Sequence, residues 1–404
     1  MKPLFSIIIP TRNRSEYAIS AIESVLKIDS TLFELVIQDN SDDDVLEEYL
    51  LLNISDTRLR YNHTKTKLDV IANFNASLNI ASGEYFTFIG DDDGVNPEII
   101  DAVAWMKKNN IDSLTPSLIA DYMWPDIRMK YYNNRFSGIL RVKTFTGEIA
   151  TFDAEDGMRE SARKAFQNLV FATNLPKIYY GIVRRDCMDK VLSKANTYFP
   201  GVSPDMAGAM SVACYVDKTF SIDYPLFVPG SSAKSTAGLG AEKKHHGRLE
   251  DQPHLPAGCW DNWPDNVPKY FAVQTVWAQS GLAALSATER NDILELFNTP
   301  FLYAKCIVFN PQFFAFTLKA YFRVLQLQKK SVIIGILQLL RWYCVTWMTR
   351  VSSMLNRIGS KFSEPTTQNI TEINTIAEAV SKLTDLLKAK NITFKQQSSR
   401  YDSK

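Results

Sequence analysis

The chain carries almost no net charge: 45 Lys and Arg stand against 44 Asp and Glu, leaving a formal +1 over 404 residues. That balance excludes global steering toward nucleic acid, so no nucleic-acid partner is expected and any electrostatic attraction must be local. Cysteine is sparse as well. Cys187, Cys214, Cys259, Cys306 and Cys344 show no CxxC spacing, which argues against a zinc ribbon. Their odd number argues against a secreted disulfide framework and favours a reducing cytosol. A GxxxxGK[ST] phosphate loop is missing, which weakens any nucleotidyl- or phosphotransferase reading. The opening run, Met1 to Pro10, has too few apolar residues for a signal peptide, and it reads as a first strand. Acidic residues are absent from Phe301 to Ser363, a stretch that holds Lys305, Lys319, Arg323, Lys329, Lys330, Arg341, Arg350, Arg357 and Lys361.

What is present is a 46% hydrophobic composition, enough for two or three domains with real cores. Through residue 100, short apolar runs alternate with segments of helical period, the pattern of βα units around a largely parallel sheet. Strands are expected near 4–9, 33–38, 58–62 and 84–89. Ser15 is placed to cap a helix bearing Ile19, Ile22, Val25 and Leu26, Asp42 to open a second, and Asp69 to Ile80 to form a third. A helix bearing Ile99, Ile100, Val103 and Met106 should end near Asn109. Residues 112–150 look like strands with a long insertion, 154–171 are helical in period, and 177–183 read as a buried strand, with another near 220–223.

In such a sheet, ligands bind where strand carboxyl ends and helix amino termini converge. Three polar clusters fall there: Thr11-Arg12-Asn13-Arg14, Asp39-Asn40-Ser41-Asp42 and Asp91-Asp92-Asp93. Adjacent acids repel one another unless a cation or a set of hydrogen-bond donors neutralises them. A divalent ion bridging a diphosphate would do so, and Asp91 and Asp93 have the residue type and spacing to hold one. Asp39 could accept an imide N–H of a base. A nucleotide-sugar enzyme also needs a carboxylate to take a proton from the attacking hydroxyl, for which Asp205 in Ser203-Pro204-Asp205 is the candidate; a helix N-cap is the plainer reading of the same residue.

Three stretches together, IIIPTRNR at 7–14, ELVIQDNSDD at 34–43 and NASLNIASGEYFTFIGDDD at 75–93, resemble bacterial family 2 glycosyltransferases of the surface-polysaccharide type. The resemblance implies an α/β GT-A fold, with a mostly parallel, Rossmann-like central sheet and, here, a helical carboxyl-terminal region. It implies that Pro10, Thr11 and Arg14 line the nucleotide pocket, that Asp39 contacts the base, that Asp91 reaches the ribose or sugar, and that Asp93 ligates Mn²⁺ or Mg²⁺. Arg12, Asn40, Asn75 and Asp92 lie in the same stretches and complete the donor-binding set. Gln38 or Asn40 stands where the family usually has a second acid, which leaves the base open, although a UDP-sugar is favoured. Ser203-Pro204-Asp205 falls where inverting members place their catalytic acid, so Asp205 is the expected base. His245 or His246 could add a metal contact, a solvated histidine pair being the alternative.

Beyond a catalytic domain at 1–230, residues 231–268 break the pattern with Gly, Ser, Pro and charge, and read as a lid or acceptor loop. The basic region at 269–363 contains the apolar run 332–340 followed by Arg341. A spanning helix would bury that charge at about 2.5–3.5 kcal/mol. A helix lying in the plane of an anionic membrane avoids the cost; a buried helix with a basic face is the alternative. In the tail at 364–404, Ile373, Ile376, Val380, Leu383 and Leu387 form one seam, which could pair with a second copy or pack back on its own domain. The expected activity is therefore metal-dependent, inverting sugar transfer from a nucleotide donor to a polyprenyl-diphosphate-linked glycan, at the cytoplasmic face of the bacterial inner membrane. Alternatives are a non-catalytic membrane scaffold of the same fold and a metal-dependent nucleotidyltransferase.

Overall fold

The computed structural model describes residues 2–128, 137–169, 172–235, 238, 246–359 and 367–403. The first ninety residues build three βα units: β1 (Phe5–Thr11), α1 (Ser15–Leu26), β2 (Phe33–Asp39), α2 (Val45–Asn53), β3 (Leu59–His63), α3 (Val70–Ile80) and β4 (Tyr85–Phe88). β1 and β2 are buried almost throughout because helices cover both faces, as their near-continuous apolar runs require. Asp69 caps α3 by accepting the Ala72 N–H. Ser15 is instead the first residue of α1, with Arg14 in the cap position, and α2 opens after Asp44 rather than Asp42.

The chain then adds β5 (Gly94–Val95), α4 (Ile99–Lys108), β6 (Ser113–Pro116), β7 (Ala120–Met123), β8 (Ile139–Lys143), β9 (Ile149–Thr151), α5 (Ala154–Arg163), β10 (Ile182–Arg184), α6 (Arg185–Ala195), α7 (Pro204–Val212), β11 (Thr219–Ile222), β12 (Phe227–Val228) and β13 (Gly230–Ser231). The central sheet runs β3-β2-β1-β4-β10-β6-β11-β9. Its first four strands are parallel, β10 is antiparallel to both neighbours, and β11 returns parallel to β6. This is the mostly parallel α/β architecture expected. The run at 177–183 departs from expectation: only its end is strand, and Tyr179 makes a single bridge to Phe88 before Tyr180 turns through the left-handed region at φ 57°.

Residues 273–359 are helical: α8 (Val273–Ala287), α9 (Asn291–Leu294), α10 (Thr299–Phe309), α11 (Phe314–Leu327) and α12 (Val332–Gly359). α8 packs on α7, and α10 lies between α8 and α12. The tail then returns as β14 (Thr367–Ile370), α13 (Ile376–Ala389) and α14 (Phe394–Asp402), with β14 antiparallel to β8 in the sheet β13-β7-β8-β14.

That return corrects one expectation. Ile373, Ile376, Val380, Leu383 and Leu387 are all buried in the core shared with α1, β5 and β7, so the seam has no free face to offer a second copy. Leu383→Ala should therefore lower the unfolding free energy by about 2–5 kcal/mol in a denaturant titration. Leu52→Ala, at a site 83% exposed, should stay within about 0.5 kcal/mol. Equal losses would detach the tail from the core.

Candidate active site

The parallel register sets Thr11, the last residue of β1, directly opposite Asp39, the last of β2, while β4 leads into Gly90 on the other flank of β1. The loop after β1 is latched to the loop after β2. Asn13 adopts φ 55°, which asparagine tolerates better than most residues. Its N–H donates to Ser41 Oγ (2.8 Å), its Nδ2 to Asp42 Oδ2 (2.7 Å), and its Oδ1 accepts the Asp42 N–H (2.8 Å). Arg12 adds an exposed ion pair to Asp42 at 3.2 Å. The latch holds Arg14 over the three aspartates.

Arg14 is the cation of this cluster. Nη1 stands 2.7 Å from Asp91 Oδ1, Nη2 stands 2.9 Å from Asp92 Oδ2, and Nη2 also donates to Ser232 Oγ at 2.6 Å. Its guanidinium lies 5.1 Å from the Tyr17 ring centroid. Burial pulls the Arg14 pKa down, but the Asp91 and Asp92 charges more than offset this and leave it raised. Thr11 donates to Asp91 Oδ2 (2.6 Å), and Ser232 donates to Asp92 Oδ2 through Oγ (2.6 Å) and N–H (3.1 Å).

Asp93 has a separate set of partners. It accepts from Gly90 N–H (2.5 Å), Gly230 N–H (2.6 Å), Tyr180 OH (2.8 Å) and Tyr179 OH (3.2 Å). Two glycines make this possible by close approach: a Cβ on Gly230 would sit 1.8 Å from the Asp92 carbonyl oxygen, and one on Gly90 would sit 2.6 Å from the Tyr179 hydroxyl. Burial, with Asp92 as a further cause, raises the carboxyl pKa of both Asp91 and Asp93 to about 7. For Asp91 the Arg14 charge works against that rise.

A cavity of about 660 Å³ opens beside the cluster. Thr11, Arg12, Arg14, Asn40, Asp91 and Asp92 form its charged wall, with Pro10 at the edge; Phe74, Leu169, Ile178, Val276 and Trp277 form an apolar wall. Asp205, at the start of α7, also lines it. Asp205 Oδ1 accepts from Ser203 Oγ and from the Met206 N–H at 2.8 Å, so it is tied to the start of its helix while facing the cavity. Burial raises its pKa.

Other expected residues are engaged differently. Asp39 is fully buried, accepting from the Ser41 N–H (2.8 Å) and Tyr61 OH (2.9 Å), and it is not among the cavity-lining residues. Asn40 uses its side chain to hold the 64–68 loop through Thr64 O, Thr66 O and the Leu68 N–H. Asn75 anchors Thr197 and Tyr198, away from the cavity. His246 is exposed, with its ring 6.3 Å from that of Phe313, and His245 lies outside the described residues. The structure adds Lys177, which lines the cavity with its pKa drawn down to about 8 by burial, and His254, whose pKa burial also lowers. Neither had a motif to mark it. Ser232 and the Tyr179-Tyr180 pair were visible as sequence, but nothing local ties them to an aspartate 86 to 140 positions away.

A divalent cation can be tested against this donor set. With all three aspartates ionised, Arg14 leaves the buried cluster two positive charges short. Asp91 Oδ1 is buried with no hydrogen bond, the Arg14 ion pair aside. Asp91 and Asp92 therefore fit a cation at the cavity wall, whereas the Asp93 oxygens are already taken by four donors. Among the described residues, the one convergent trio of metal-ligating side chains is Asp44, Glu47 and His63, outside the cavity and with Lys65 on Asp44. Two protein carboxylates alone leave coordination positions for phosphate oxygens.

Residues 6–166 match the model of glycosyl transferase family 2. That match makes residues 6–166 similar to glycosyl transferase family 2 over about two fifths of the chain. The chain is 38% identical over 97 residues to the putative colanic acid biosynthesis glycosyl transferase WcaA of Escherichia coli K12, spanning 24% of this chain and 34% of that protein. It is 37% identical over 93 residues to the GalNAc(5)-diNAcBac-PP-undecaprenol beta-1,3-glucosyltransferase of Campylobacter jejuni, 22% of this chain and 30% of that one. The matched stretch thus spans about a third of the length of each. The crystal structure of S. aureus TarS 1-349 in complex with UDP-GlcNAc superposes with a TM-score of 0.45 at 16% identity, covering 80% of each chain. That likeness is distant.

The raised carboxyl pKa values give a signed expectation. Asp91 and Asp93 bind protons more tightly folded than unfolded, so unfolding releases protons between pH 3.8 and about 7. Their contribution to stability falls as pH rises through that window and levels off above it. In a chelator-containing buffer, the melting temperature of wild type should drop more between pH 5 and 7.5 than that of Asp91→Asn. Parallel curves would remove the strained carboxylates from the account.

Proposed function

We propose that this protein transfers a sugar from a nucleoside-diphosphate donor, a UDP-sugar foremost, to a polyprenyl-diphosphate-linked glycan during synthesis of bacterial surface polysaccharide such as O-antigen or capsule. It works peripherally at the cytoplasmic membrane face, with inversion at the anomeric carbon. The observation that carries this reading is one cavity with the Arg14–Asp91–Asp92 cluster and Asp205, in the first turn of α7, both in its lining. The named acceptor chemistry of the Campylobacter relative supports the lipid-linked class.

Asp91 and Asp92 would hold Mn²⁺ or Mg²⁺, which when bound offsets charge on the departing diphosphate. Arg14 and Lys177 supply fixed positive charge in the same cavity. Asp205 takes the proton of the acceptor hydroxyl as the new bond to the anomeric carbon forms and the bond to the diphosphate oxygen breaks. The burial that raises its pKa makes it a stronger base than an exposed aspartate. The apolar wall of Leu169, Ile178 and Trp277 excludes water that would compete as acceptor.

Asp205→Asn should lower turnover by about 10²–10⁴ while donor affinity in a calorimetric titration stays within a few-fold. Normal turnover would move the base elsewhere. Asp91→Ala should abolish Mn²⁺-dependent tightening of UDP binding; retention of that tightening would remove the proposed cation site.

A further inference from the structure

Outside the cavity, the largest unexplained feature is an apolar surface. Fourteen of the eighteen large apolar side chains exposed among the described residues lie between Phe309 and Val351. Soluble monomers rarely expose contiguous apolar patches beyond roughly a few hundred Å² without a partner to cover them. On α12 the exposed residues Ile333, Leu337, Leu340, Cys344, Trp347 and Val351 recur at spacings of four and three, which makes a continuous outward stripe. The opposite face is occupied. Gly335 and Leu339 are buried, and Leu339 and Trp342 pack in the cluster around Tyr303, Ile307 and Leu325 of α10 and α11.

We infer that α11 and α12 form an in-plane docking surface for an anionic lipid bilayer. Charge supports the choice of occupant: Lys319, Arg323, Lys329, Lys330 and Arg341 are exposed on α11, α12 and the turn between them, a stretch with no acid of its own, with Asp265 3.8 Å from Arg323. Geometry argues against a single crossing by α12. α12 is long and apolar enough to span, yet Leu339, Trp342 and Tyr343 pack it against the cluster of α10 and α11. Its exit leads within eight residues to β14, which pairs with β8. A single crossing would put β14 on the far side of the membrane from its partner strand.

The surface is continuous with the cavity wall. Phe313, just before α11, stacks on Tyr270 at 4.2 Å between ring centroids, and the next residue, Phe271, lines the cavity. Docking α11 therefore brings that wall to the lipid boundary, where an acceptor on a lipid carrier would arrive. That last step rests on the function proposed above; the docking itself does not.

The test is flotation of the full chain with phosphatidylcholine vesicles, with and without phosphatidylglycerol. Wild type should float with the anionic vesicles at low salt, lose most of that binding at high salt, and be stripped by alkaline carbonate. Ile333→Ser/Leu337→Ser/Trp347→Ser, and separately Lys329→Glu/Lys330→Glu, should reduce flotation at least tenfold while UDP binding stays unchanged. UDP binding reports the catalytic reading independently, since its failure would leave flotation untouched. The inference falls if wild type stays with the unbound fraction, if both variants float like wild type, if carbonate leaves it membrane-bound, or if light scattering shows a dimer that the apolar variant dissociates.

Discussion

Three buried carboxylates in sequence are untenable without compensation, and in this protein the compensation begins with one side chain. Arg14 spans Asp91 and Asp92, and the latch of Asn13 on the β2 loop is what aims it there. Much of the surrounding architecture reads as a consequence. Ser232 must arrive directly after β13 to share the load, which requires Gly230 to pass against the backbone of Asp92. Tyr180 accepts an unfavourable backbone conformation so that its hydroxyl meets Asp93. Even so, the compensation is incomplete, and the proton affinity of Asp91 and Asp93 registers the shortfall.

Legibility in the sequence followed the range of the interactions. The parallel strands and first three helices are set by local periodicity, so their positions were readable to within a residue or two. The acidic triplet and Asp205 could be singled out as candidates by residue type and position, and Arg14 through the family resemblance. What could not be read was direction. Nothing in the string NASLNIASG shows that Asn75 turns toward Thr197, and nothing at Asp39 shows both oxygens already satisfied by Tyr61 and Ser41. The strand expected at 177–183 failed for a related reason: its aromatic residues have strand propensity, but Tyr179 and Tyr180 are used as hydroxyl donors to Asp93, and that use bends the chain.

The helical region and the tail illustrate a different ambiguity. Apolar spacing in 332–351 and in 373–387 looks alike on paper. One stripe faces outward, while the other is enclosed by α1, β5 and β7. Periodicity identifies a face but not its neighbour. The difference is supplied by topology, because β14 pins the tail against β8 and leaves α12 at the periphery.

The pinning also has a temporal side. Since β14 and α13 belong to the fold of the amino-terminal half, that half cannot close before residues 367–389 have left the ribosome. Until then β8 presents an open edge and α1 a bare apolar flank, the features that invite mispairing between nascent chains. Biogenesis of this protein therefore depends on protecting an unfinished domain until residues 367–402 have appeared.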